Sequence, residues 1–358
     1  MKRLSVLGLI GNLNWLFLIF IVGDLARGSQ CLTIDSIQSF SLSQDKRFCF
    51  VAHLGYATLI DLQTEKILFN LTSNAMGNNS EKLVTYSALS ASHRKLIIAC
   101  RISNKHASSK EVVELWDGNT GALMCDFYAD RITQSLSGLS ISPNGRRVLF
   151  CYSGNYGSLE CWDTSNKKLL WKHIFKPLSH SGIVYGTPIV NVWTAQYSPN
   201  GRQLMVSTTD GLMCLDPETG NVIKLFDTLF TGVLSIAWSN DGKKIFTGGS
   251  NCARLLNMDE TGNYLDFKMP EHKDGHLEMF GRLEHADFSP DNSKVVVGSI
   301  DNGFCVWDTT IAKPLFYFQK SPCFGASFVN NKDIITVEDG KLELWDGIKG
   351  LFLKRIDF

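Results

Sequence analysis

The sequence predicts an all-β chain, a single β-propeller of seven four-stranded antiparallel blades, and three observations carry that prediction. A unit of about forty residues recurs from Ser36 to the end of the chain. Each unit has a tight polar turn near its start and an apolar-Asp dipeptide, or a worn version of it, near its end. The composition, 44% hydrophobic with 30 glycines and 9 prolines in 358 residues, suits many short strands and tight turns and disfavours long helices. All-β domains of this length are commonly single closed units.

The elements follow from the clearest unit, Leu139-Ser-Ile-Ser-Pro-Asn-Gly-Arg-Arg-Val-Leu-Phe-Cys-Tyr-Ser, then Gly157-Ser-Leu-Glu-Cys-Trp162-Asp163, then Lys168-Leu-Leu-Trp-Lys. Its first strand ends at the Ser-Pro-Asn-Gly turn and its second is an apolar run. The third alternates into Trp-Asp, and a short polar turn leads to the fourth. Six further copies fit this template. The first, Ser36 to Leu71, turns at Leu42-Ser43-Gln44-Asp45 and has Ile60-Asp61 in place of Trp-Asp. The second, Tyr86 to Phe127, has Trp116-Asp117, and the fourth, Trp193 to Phe226, has Ser198-Pro-Asn-Gly201 and Leu215-Asp216. The fifth, Leu234 to Phe267, has Ser239-Asn-Asp-Gly242 and Asn257-Met258. The sixth, Leu283 to Phe318, has Ser289-Pro-Asp-Asn292 and Trp307-Asp308. The seventh, Phe324 to Phe358, turns at Asn330-Asn331-Lys332-Asp333 and keeps Trp345-Asp346.

With these motifs in register, the chain resembles a WD-repeat β-propeller. Its degenerate style is also similar to the C-terminal propellers of NACHT and WD repeat domain-containing proteins, although no NTPase motif is present. The resemblance implies a seven-bladed ring in which Trp116, Asp117, Trp162, Asp163, Trp307, Asp308, Trp345 and Asp346 are structural repeat residues. The Gly-His pair usual before the first strand is missing from most units. The family's Ser-His-Asp-Trp network is therefore not expected in most blades, which should rely on apolar packing. The last unit owns its outer strand, Leu351 to Phe358, and the run Cys31 to Asp35 could pair with it as an extra edge strand.

Residues 1–28 form a separate apolar N-terminal segment, and 29–358 the propeller. Lys2 and Arg3 precede an apolar stretch from Leu4 to Val22, interrupted by Asn12 and Asn14. With small residues at Ala26 and Gly28, the segment reads as a signal peptide, a signal anchor or a fragment remnant. If uncleaved, residues 4–22 would be the chain's membrane contact, with the propeller on the non-cytoplasmic side. The ten cysteines point the other way, since most fall inside predicted strands, as in Phe48-Cys49-Phe50 and Phe304-Cys305-Val306. Thiols so placed are core hydrophobes in a reducing compartment rather than a disulfide framework. The sequons Asn70-Leu71-Thr72 and Asn78-Asn79-Ser80 arise too easily by chance to decide the matter. The expectation is a cytoplasmic protein, with the secretory pathway or a membrane anchor as the alternative.

Chemistry is sparse. Lys plus Arg and Asp plus Glu are both 35, so no basic excess argues for a nucleic-acid partner. There is no Gly-Lys-Ser/Thr, Gly-x-Ser-x-Gly or strand-to-helix Gly-x-Gly-x-x-Gly motif. Asp117, Asp163, Asp308 and Asp346 read as turn punctuation rather than as acid/base groups. His272 and His276, with Asp274 between them, could hold zinc on a helical turn, but Lys273 and Gly275 favour a solvated loop, and no metal or cofactor is expected. Small first-strand residues, Ser140, Ser142, Ala195, Ser235, Ala237, Ala286, Gly325 and Ala326, are expected to line the channel.

Four insertions, near Thr72 to Thr85, Ile102 to Lys110, Lys172 to Val192 and Lys268 to Arg282, should crowd one face of the ring. The third is apolar for a solvated segment, so Phe175, His180 and Tyr185, together with His272, Asp274 and His276 in the fourth, are candidate binding residues. The expected function is a non-catalytic, monomeric scaffold that binds other proteins or peptides through this face. A secreted or membrane-tethered recognition propeller, or an enzyme using the central channel, are the alternatives.

Overall fold

The computed structural model describes residues 37–356 apart from 54, 73–80, 93, 104–109, 129–133, 155, 177–182, 185–186, 189, 227–232, 250–251, 260–263, 268–282, 300–302, 319–322 and 339–340. The predicted edge strand Cys31 to Asp35 lies outside them. All described elements are strands. Blade 1 is β1 (Ile37–Leu42), β2 (Phe48–His53), β3 (Ala57–Asp61) and β4 (Lys66–Leu71). Blade 2 is β5 (Glu81–Leu89), β6 (Lys95–Ser103), β7 (Lys110–Asp117) and β8 (Leu123–Tyr128). Blade 3 is β9 (Gln134–Ile141), β10 (Arg147–Gly154), β11 (Ser158–Asp163) and β12 (Leu169–Ile174), followed by a small hairpin, β13 (Ile183–Val184) and β14 (Thr187–Pro188). Blade 4 is β15 (Val192–Tyr197), β16 (Leu204–Thr208), β17 (Gly211–Leu215) and β18 (Val222–Phe226). Blade 5 is β19 (Ser235–Trp238), β20 (Lys244–Gly248), β21 (Ala253–Asn257) and β22 (Tyr264–Phe267). Blade 6 is β23 (Leu283–Phe288), β24 (Lys294–Ser299), β25 (Gly303–Asp308) and β26 (Lys313–Phe318). Blade 7 is β27 (Cys323–Phe328), β28 (Asp333–Glu338), β29 (Lys341–Asp346) and β30 (Leu351–Ile356).

Every blade is an antiparallel meander in chain order. The seventh sheet is completed by its own β30, as predicted. Blade 1 shows how the ring grades burial: β2 and β3 are buried throughout, whereas β4 is largely exposed. Middle strands are covered on both faces by neighbouring blades, which is why they read as continuous apolar runs rather than alternating ones.

Seven apolar clusters fill the seven gaps between blades. The gap between blades 1 and 2, for example, joins Phe50 and Leu59 to Ile98 and Trp116. The closing gap joins Phe40, Val51 and Ile60 of blade 1 to Ile335, Leu342 and Ile356 of blade 7. Closure among the described residues is therefore side-chain packing between two complete sheets, not strand exchange. At this seam Phe40 lies so close to Gly325 that a Cβ there would meet its ring at 2.1 Å.

The repeat turns explain the motif spacing. Ser142 Oγ donates to Asn144 Oδ1 (2.8 Å) and accepts from Arg147 N (2.9 Å), and Ser198, Ser239 and Ser289 do the same in their own turns. The fourth turn position takes positive φ, which Gly145, Gly201 and Gly242 adopt without a side-chain clash. Lys46 and Asn292 occupy it in blades 1 and 6, and both then bond to another blade: Lys46 Nζ to Asp287 Oδ2 (2.7 Å) and Asn292 Oδ1 from Asn240 N (2.7 Å).

Candidate interaction face

The strand register puts all inter-blade connections and all second-to-third-strand turns at one end of the blades. Leu71 pairs with Ala57 and Ala52 with Ala57, so the end of β4 and the β2–β3 turn lie together. The same holds for Ile174, Ser158 and Tyr152 in blade 3. The strand ends that flank the predicted insertions lie at this end. Two of the insertions are shorter than expected, because β5 already begins at Glu81, and β6 and β7 run to Ser103 and from Lys110.

Near this end each inner strand carries a buried apolar anchor, Ile37, Val84, Leu136, Val192, Val233, Leu283 or Cys323, all at most 4% exposed. In six blades the next residue is a bulge: Gln38, Thr85, Ser137, Trp193, Glu284 and Phe324 are skipped by the pairing with the second strand. In blade 5 the corresponding residue is Leu234. A bulge redirects one side chain while its flanking pairs hold the strand. Phe324 is 36% exposed, and Thr85, Ser137, Trp193 and Leu234 are half-buried. Ser137 Oγ donates to Val192 O of the next blade at 2.6 Å. The ring mouth is thus edged by mixed apolar and hydroxyl groups on a rigid frame, a signal absent from the repeat motif.

Of the predicted site residues, Phe175 is described and is 4% exposed, packed with Val190 and Val192 in the gap between blades 3 and 4. Its N–H donates to Gly157 O at 2.9 Å and its ring lies 4.6 Å from that of His173, so it anchors the start of the insertion rather than presenting a free surface. His180, Tyr185, His272, Asp274 and His276 lie outside the described residues. Among the described residues no cluster of His, Cys, Asp and Glu is placed to hold a metal.

The expected channel lining needs correction. Ala195, Ala237, Ala286 and Ala326 belong to the inter-blade cores, where closely approaching sheets leave room for little more than a methyl group. Ser142 is committed to its turn, and Gly325 lies under Phe40 at the seam. Missed by the sequence reading is a cluster joining blades 6, 7 and 1. Asp287 Oδ2 accepts from Lys46 Nζ, Ser327 Oγ and Phe328 N, the last at 3.0 Å. His285 Nδ1 lies 2.8 Å from Ala326 O, and its ring stacks on Phe40.

Many of the other described carboxylates and thiols are engaged in turns and cores. The Asp at the end of the third strand caps the following turn: Asp117 Oδ1 accepts from Asn119 N (2.8 Å) and Thr120 N (2.9 Å), and Asp308 from Thr310 N (2.7 Å). These bonds hold both carboxyls below the usual range, the Thr310 hydroxyl adding the largest part at Asp308. Seven of the nine described cysteines are buried, and burial pushes the Cys151 thiol up to about 12 and the Cys161 thiol to about 11. Such thiols are poor nucleophiles at neutral pH. Trp307 is fully buried, and Trp345 Nε1 donates to Thr336 Oγ1 at 2.9 Å.

Seven meander sheets, five with a Ser-Asx first turn and six with an Asp at the end of the third strand, define a repeat propeller. The family WD domain, G-beta repeat matches residues 223–257 and 272–308. The first match spans the outer strand of blade 4 and three strands of blade 5, so the sequence repeat is offset from the structural blade. These segments are WD40 repeats, and the fold that holds them is a seven-bladed β-propeller. No curated protein compared with the chain matches it.

Proposed function

We propose that this propeller is a non-catalytic scaffold that binds other proteins or peptides through its loop-bearing face. The observation behind this reading is the ring of inner-strand bulges, which sets Trp193, Leu234 and Phe324 beside hydroxyl groups at the mouth on that face. A pre-formed surface loses little entropy on binding, and apolar anchors beside polar groups suit peptide chains. WD-repeat propellers are in general interaction modules, and the carboxylates and thiols described above are engaged in turns and cores. The scaffold acts as a monomer in the cytoplasm, a compartment that suits cysteines mostly buried in strands.

The test is affinity purification with Leu234→Glu/Phe324→Glu beside Leu225→Glu, which alters an exposed residue on the circumference. Partners lost only from the first variant support the reading. Partners retained by it, or lost equally from both, contradict it.

A further inference from the structure

The face opposite the loops carries its own pattern, independent of the reading above. One residue in each first turn occupies an equivalent place, marked by its carbonyl accepting an N–H from just beyond the third strand. These bonds run from Leu62 N to Arg47 O, Gly118 N to Arg94 O, Thr164 N to Arg146 O, Met258 N to Lys243 O, Thr309 N to Ser293 O and Gly347 N to Lys332 O. In blade 4, where Pro217 has no N–H to give, Arg202 follows Gly201 as Arg146 follows Gly145. All of these residues but Ser293 are cations, and each cation is exposed.

The ring is nevertheless asymmetric. In blades 1 and 7 the cation pairs within its own blade, Arg47 with Asp61 at 2.8 Å and Lys332 with Asp346 at 3.2 Å. From blade 5 round to blade 7 the turns also bond to one another, through Asn240 with Asn292 and Asp291 with Asn331, and the turn of blade 1 bonds to the inner strand of blade 6 through Lys46 and Asp287. In blades 2 to 5, by contrast, Arg94, Arg146, Arg202 and Lys243 make no ion pair and no side-chain hydrogen bond among the described residues. Their turns adjoin: a Cβ on Gly145 would touch Lys95, one on Gly201 would lie 3.6 Å from Pro143, and one on Gly242 would lie 3.9 Å from Pro199. Half the ring consumes its polar groups in closure, and the other half leaves four successive cations on a continuous rim.

We propose that this arc docks an extended acidic segment of a partner protein, its carboxylates pairing with successive blades. Arginine's planar fork matches a carboxylate in a two-point contact. The alternation of charge selects a chain of discrete side chains over a uniform anionic surface. Asp117, Asp163 and Asp216 stand at the neighbouring turns of the same face and would repel a membrane or a nucleic-acid backbone, and the protein carries no net charge.

The experiment is fluorescence anisotropy of a labelled glutamate-rich peptide with the full-length protein. Binding should weaken as salt rises. It should fall at least about tenfold in R94Q/R146Q/R202Q/K243Q and stay within about twofold in R47Q/K332Q, whose cations are already paired. Circular dichroism checks folding, and R146Q alone reads the same direction should the quadruple variant unfold. Absence of binding at low salt, or equal loss in the two multiple variants, overturns the proposal. So does displacement of the peptide by phosphatidylserine vesicles or single-stranded DNA at lower charge concentration than by unlabelled peptide.

Discussion

Lys46 and Asp287, 241 residues apart in sequence, form a 2.7 Å ion pair that ties the first turn of blade 1 to the inner strand of blade 6. The contact passes beside blade 7, whose Ser327 and Phe328 N–H share the same carboxylate oxygen. Three blades at the closure of the ring therefore depend on one aspartate.

Because Asp287 holds three donors and Lys46 supplies only one of them, their truncations should differ. Asp287→Ala is expected to lower stability by about 2–3 kcal/mol and Lys46→Ala by about 1 kcal/mol, values reduced for partial exposure of the pair. Urea denaturation of both variants checks the order. A Lys46 variant as damaged as the Asp287 variant would contradict the shared-acceptor account.

Acid should act in two steps. Burial holds the His285 imidazole below its ordinary value, with Asp287 and the Ala326 carbonyl opposing and Lys46 reinforcing the shift. A folded value below the unfolded one means that the stability is present above about pH 6.5 and is lost as pH falls through the folded value. Asp117, Asp163 and Asp308 are likewise lowered by their turn hydrogen bonds, so their contribution is present above about pH 4 and lost below it. His285→Asn should remove the upper step and leave the lower one in thermal melts across pH. An unchanged profile in that variant would count against the assignment.

Tryptophans of the repeat should be unequal. Trp307 is fully buried against Phe246 and Phe267, whereas Trp162 is partly exposed. Trp307→Ala is expected to cost about 3–5 kcal/mol, and Trp162→Ala clearly less, as read from denaturation midpoints.

Two glycines should resist replacement for different reasons. Gly220 combines φ +72° with Trp171 of blade 3, which a Cβ would meet at 2.5 Å. Gly325 has an ordinary φ, but its Cβ would enter the Phe40 ring. Gly325→Ala should loosen the seam alone, so hydrogen exchange should rise in blades 1 and 7 before the others. Uniform exchange across the ring would show that closure is not confined to that seam.

The blade count, strand order and turn chemistry were legible because each is local: a Ser-Asx turn, an apolar run and an Asp cap recur at fixed spacing. Residues that act across blades were not. Lys46 reads as a poor glycine substitute in its turn and Asp287 as a polar interruption of an inner strand, and only the closed ring brings them together. The alanines assigned to the channel failed for a related reason. Strand alternation says that Ala195 and Ala326 share a face type, but which face meets a neighbouring blade depends on the bulge that precedes them. Phe175 is apolar in an insertion, and only the closed ring shows that it packs with Val190 and Val192 between blades 3 and 4.

Site-specific photo-cross-linking measures the central claim most directly, with the reactive residue placed at Phe324 on the bulge ring or at Leu225 on the circumference. The account predicts that partner proteins are captured from Phe324 and not from Leu225. Capture from Leu225 alone would place recognition on the blade edges and contradict it.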